Sequence, residues 1–118
     1  MPSDKKHERQ YKSNKELLMS STFNVDTTKY RDWLITISFY CALHLVEKKL
    51  YELSGQHNQG HKARNKLIIC SSHFANIATQ YYLLYNESIR ARYKCYSFSK
   101  KDVCVVLSSL KDIENELD

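Results

Sequence analysis

The chain has 118 residues, enough for one domain (1–118) with a core of its own, and its two glycines and single proline supply too few tight turns for a sandwich or barrel. The formal charge of +5 is unevenly spread, because residues 88–101 hold five basic side chains and no acid whereas residues 102–118 hold five acids against Lys111. Four cysteines without a Cys-x-x-Cys pair exclude a zinc knuckle and a dithiol redox motif.

In chain order, Ser3 and Asp4 can cap a polar first helix over about 5–21, whose thin apolar stripe is His7, Tyr11, Leu17 and Leu18. A break at 24–28 follows, with Asp26, Thr27 and Thr28 as candidate caps. The next helix is expected over about 29–54. Its stretch from Trp33 to Val46 runs without a charge and is apolar nearly all round, with Trp33, Tyr40 and His44 between two aliphatic stripes. Such a helix is a buried one, and it falls short of the roughly 18 apolar residues a membrane span requires. Gly55 is placed to stop it.

A polar loop over 55–60 leads to a third helix from about His61 to Ser72, and a fourth covers about 75–93 with Ile77, Tyr81, Leu84, Ser88 and Ala91 on one face. Tyr81, Tyr82 and Tyr85 are expected as core and contact residues rather than stacking platforms. Ser99 and Asp102 form a capping-box pattern before Val103, Val106, Leu107, Leu110, Ile113 and Leu117, a clean amphipathic stripe. The expected fold is all-α, an up-and-down bundle of about five helices around the central one. No apolar signal segment follows Met1, and the cysteines read as free buried thiols, so a cytoplasmic setting without membrane contact is expected.

Phosphate-loop, nucleophile-elbow and His-Glu-x-x-His patterns are missing from the sequence, and no cofactor or metal is expected. The basic residues Arg90, Arg92, Lys94, Lys100 and Lys101, interleaved with Tyr93, Tyr96 and Phe98, suit phosphates and bases, although such runs are also common on solvated surface. Arg90, Arg92 and Tyr93 are the stacking and phosphate candidates.

Asp32-Trp33, then Phe39-Tyr40 to His44, then His61-x-x-Arg64-Asn65, then Ser88-x-x-Ala91-Arg92-Tyr93, resemble a HEPN-type domain, the higher eukaryote and prokaryote nucleotide-binding helical family. That resemblance implies a helical bundle that pairs as a homodimer and binds a nucleotide or RNA. Tyr40, His44 and Asn65 join the binding residues through it. Many such proteins are ribonucleases and toxins with a cognate antitoxin, while others lack catalysis.

Active members carry an Arg followed by a His four to six residues later, and here the positions beyond Arg64 are Ile68, Ile69 and Cys70. Without that imidazole the simplest general acid or base is gone, so an altered or lost ribonuclease site is expected. A substitute set is His57, His61 and Arg64, which share a face if the helix extends back through the loop. The competing account makes His61 a helix anchor and pairs Arg64 with a carboxylate such as Asp32. His44 is either a satisfied core residue or the floor of a pocket beneath His61 and Arg64. A non-catalytic protein-assembly module is the alternative function.

Overall fold

The computed structural model describes residues 4–55 and 60–118, and all its regular structure is helical. The elements are α1 (Asp4–Leu18), α2 (Arg31–Ser54), α3 (His61–Cys70), α4 (Ala78–Tyr93) and α5 (Lys100–Leu117), with single 3₁₀ turns at Ser21–Phe23 and Ser72–Phe74. At about 1.5 Å per residue α2 is some 36 Å long, so it runs almost the full length of a molecule 41 Å in its longest dimension. Helices α1, α4 and α5 all pack on it, and α4 also packs on α5. The chain runs up and down through these four, with α3 as a short side helix between α2 and α4.

No Gly or Pro interrupts α2, and its buried hydroxyls are satisfied within the helix: Ser38 Oγ donates to the Leu34 carbonyl at 2.8 Å and Thr36 Oγ1 to the Asp32 carbonyl at 2.9 Å. Gly55 ends it in the left-handed region (φ 69°), where its N–H reaches the Tyr51 carbonyl at 2.7 Å. A side chain would strain that φ, which is why glycine suits this position. At the other end of the fold, Ser99 Oγ accepts from the Asp102 N–H and the Asp102 carboxylate accepts from the Ser99 N–H, so the expected capping box starts α5.

The core is built from α2 (Leu34, Ile35, Phe39, Ala42, Leu45, Val46) and faces the inward stripe of α5 (Val103, Val106, Leu110, Ile113). Tyr81 and Leu84 of α4 and Tyr11 and Leu18 of α1 close its sides. Of the proposed α1 stripe, Leu17 points outward at 49% exposure.

Several boundaries and burials differ from the sequence reading. Helix α1 stops at Leu18, before Ser21, and α4 starts at Ala78, after a 3₁₀ turn whose Phe74 is buried. The central helix begins at Arg31, behind an uncapped Tyr30, while the Thr28 hydroxyl accepts from the Tyr30 N–H instead of capping the helix. It is not covered all round, because Trp33 is 58% exposed: three packed neighbours leave a strip of α2 open near its start. The four thiols are free, but only Cys41 is buried. Burial pushes the Cys41 thiol up to about 12, so it stays protonated and inert. The proposed Ser3 cap lies outside the described residues.

Candidate functional site

Glu47, on the inward face of α2, is 3% exposed, and Arg64 of α3 is 7% exposed; the two form an ion pair with Nε 2.5 Å from Oε1. Arg64 Nη1 also lies 3.1 Å from His61 Nδ1, so the imidazole accepts there and is neutral. Burial first, and then the nearby Arg64 and Arg92 charges, hold His61 below the usual imidazole range. Burial holds the Tyr81 hydroxyl above its usual range, with Arg64 pulling the other way.

The positive charge of Arg64 is therefore neutralised inside the protein. Its carboxylate partner is Glu47 rather than Asp32. His61 and Arg64 do come together, while His57 lies outside the described residues. Asn65 is buried beside Arg64 and lines a groove between α3 and α4.

His44 faces α1, where its Nδ1 lies 3.0 Å from His7 Nδ1 and the two rings are 5.2 Å apart between centroids. One nitrogen must donate and the other accept, so at least one ring is neutral. Burial, then the His7 charge, then Arg64 push His44 down to about 4, against an opposing pull from Glu47. This is a structural seam between α1 and α2.

The seam makes the fold acid-sensitive. Because the folded-state value lies below the ordinary 6.5, the unfolded chain takes up the proton first. The stability due to neutral His44 is complete above about pH 6.5 and lost as the pH falls towards 4, by on the order of 2–3 kcal/mol. Chemical denaturation at pH 7.5 and pH 5 should show the loss, and His44→Gln should flatten that pH dependence. A wild-type curve flat across this range would contradict a neutral His44 in the folded protein.

The remaining binding candidates gather at the end of the bundle where α2 begins and α4 finishes. All four exposed aromatic residues among those described are here: Tyr30, Trp33, Tyr93 and Tyr96. Arg92 is held by neutral oxygens. Its Nη1 donates to the Tyr40 hydroxyl at 3.2 Å, its Nε to the Ser88 carbonyl and its Nη2 to Ser88 Oγ, both at 3.3 Å. The guanidinium lies 5.1 Å from the Tyr93 ring centroid, 5.7 Å from that of Tyr40 and 5.8 Å from that of Phe39. Phe39 also touches the His61 ring at 5.8 Å, so one buried ring connects the two groups of candidates.

Beside Arg92 a groove of about 390 Å³ is lined by Asp32, Trp33, Thr36, Tyr40 and Ala91. A neighbouring pocket of about 440 Å³ is lined by Lys29, Arg31, Asp32, Tyr96 and Phe98, among others. Arg31 Nη1 donates to the Phe98 carbonyl at 3.1 Å. Arg90, by contrast, is committed: it pairs with Glu87 at 3.0 Å and stacks 4.1 Å from the Tyr96 centroid.

Sequence patterning points to Arg92 and Tyr93, and the family resemblance adds Tyr40, but neither names Trp33, Arg31 or Lys29 as binding residues. Helical spacing puts Trp33 in the buried sector, and the only hint otherwise is its position next to charged Asp32. In comparisons with protein-family models, curated proteins and solved structures, nothing matches this chain.

Proposed function

We propose that this domain binds single-stranded RNA or a nucleotide at the aromatic and basic end of the bundle. The observation that carries the reading is Arg92, a cation held only by neutral oxygens among the described residues, which lines one groove with exposed Trp33 and lies 5.1 Å from the ring centroid of exposed Tyr93. Phosphates need such a charge and bases need such ring faces, and neither requirement is met by the buried Arg64. The HEPN resemblance supports the same reading and adds a cytoplasmic toxin or defence setting, in which a cognate antitoxin is the protein partner. Binding is favoured over cleavage, since Arg64 is neutralised by Glu47 and no Arg is followed by His at the family's spacing.

Labelled single-stranded RNA titrated at several salt concentrations tests this. Arg92→Ala should weaken binding to all sequences alike and flatten the salt dependence by about one unit, as loss of one phosphate contact does. Arg90→Ala should do less, because Glu87 already occupies that charge. An unchanged slope in Arg92→Ala would remove Arg92 from the interface.

The assembly reading rests on a different face. Ile69 is 59% and Leu67 41% exposed on α3, and Ile69 lines a groove of about 510 Å³ with Tyr82, Tyr85 and the basic Lys62 and Lys66. A second copy of the chain is the occupant we propose there, giving a homodimer. Light scattering at micromolar concentration should return twice the chain mass; a monomer mass would remove this contact.

A further inference from the structure

Asp32 is the carboxylate out of place in the aromatic and basic end. Other acids nearby are engaged. Asp26 pairs with Lys100 at 2.5 Å, Glu87 pairs with Arg90 at 3.0 Å, and the Asp102 carboxylate accepts from the Ser99 N–H at 2.9 Å. Among the described residues, the Asp32 side chain has no ion pair or hydrogen bond, and it is exposed. As an acid in the first turn of α2 it interacts favourably with the helix dipole, yet any acid in that turn would do so. What distinguishes this one is that it stands in the wall of both cavities, the Trp33–Tyr40–Arg92 groove and the Lys29–Arg31–Tyr96 pocket.

A carboxylate here repels phosphate, so it must face another part of a bound nucleotide. Its two oxygens accept two parallel hydrogen bonds when two donors lie side by side. On its Watson–Crick edge guanine offers such a pair, N1–H beside the N2 amine. Adenine and cytosine each place one amine next to a ring-nitrogen acceptor, and uracil places one N–H between two carbonyls. Those acceptors would meet the carboxylate with like partial charge.

Resting on the RNA-binding reading above, we propose that Asp32 selects guanine, with the base on Trp33 in the α2–α4 groove and its edge on the carboxylate. The adjoining phosphate lies in the neighbouring pocket against Arg31 and Lys29. Arg31 suits this role because it lines that pocket beside Lys29 and pairs with no carboxylate among the described residues, its Nη1 resting on the neutral Phe98 carbonyl. The ligand class is thus a guanine-containing single strand rather than any RNA.

The test compares four labelled RNA pentamers, UUGUU, UUAUU, UUCUU and UUUUU, on the whole chain at one low salt concentration. The wild type should bind UUGUU roughly tenfold more tightly than the other three, the scale of one bidentate base contact. Asp32→Ala should bring UUGUU down to the UUUUU affinity and leave UUUUU binding equal or tighter, since a negative charge near phosphates is gone. Asp32→Asn, which keeps the size and loses the charge, should also lose most of the preference. Equal wild-type binding of all four pentamers would overturn the guanine assignment while leaving the RNA-binding reading standing, and so would a preference that survives Asp32→Ala. Failure of folded protein to bind any pentamer at high micromolar concentration would overturn both.

Discussion

Glu47→Ala should cost about 3–5 kcal/mol of stability, a large part of the roughly 5–15 kcal/mol that holds a domain of this size together. The cause is the guanidinium left behind. Arg64 is 7% exposed, and with Glu47 gone its nearest hydrogen-bonding neighbour is His61, a neutral ring that cannot balance a charge. The pair also ties α3 to α2; Ile68 gives α3 a second, purely apolar anchor. Arg64→Ala should also be destabilising, because it removes the buried guanidinium that balances the Glu47 charge and the tie between α3 and α2. Replacing both partners by Met should cost much less than either single change, since a buried pair need not outperform apolar packing of similar size. Chemical denaturation of the three variants measures this, and a loss under about 1 kcal/mol in both single variants would place the pair in water. The same experiment separates the two roles considered for Arg64, because a phosphate ligand would lose affinity on truncation and keep its melting temperature.

Phe39→Ala should cost about 3–5 kcal/mol, the range for deleting a fully buried aromatic ring. Phe39 is 0% exposed and touches Tyr40, Tyr81, Tyr85 and His61, with ring centroids 5.4 to 5.8 Å away. These neighbours belong to three helices, so no single side chain can move in to fill the space. The cavity should loosen Arg92 as well, whose guanidinium lies over the same ring. Equilibrium denaturation showing less than about 1 kcal/mol of loss would contradict the central placement of Phe39.

Both positions show what local patterning can and cannot reveal. Phe39 is legible because an uncharged run at helical spacing marks a core helix, and Gly55 and the Ser99–Asp102 box mark two helix ends by their own local chemistry. The partner of Arg64 is not legible. Asp32 and Glu47 are both acids on α2, but 15 residues separate them, about 22 Å along the helix, and only the packed position of α3 decides which one it meets. Trp33 misleads for a related reason. Periodicity groups residues into faces, but whether a face is covered depends on how many neighbours the helix has, and α1, α4 and α5 leave this one open. The basic segment is legible as charge; that Arg90 is already paired while Arg92 is held by neutral oxygens depends on which side of α4 each occupies.

Trp33 is the only tryptophan in the chain and stands in the wall of the proposed groove, so the protein carries its own reporter. A nucleobase stacked on an indole quenches its fluorescence. Titration of the wild-type protein at low salt with a short single-stranded RNA containing guanine should give saturable quenching of Trp33 emission that weakens as salt is raised and is much reduced in Arg92→Ala. Unchanged emission up to high micromolar RNA, from protein whose circular dichroism is that of a folded helical domain, would contradict nucleic-acid binding at this end of the bundle.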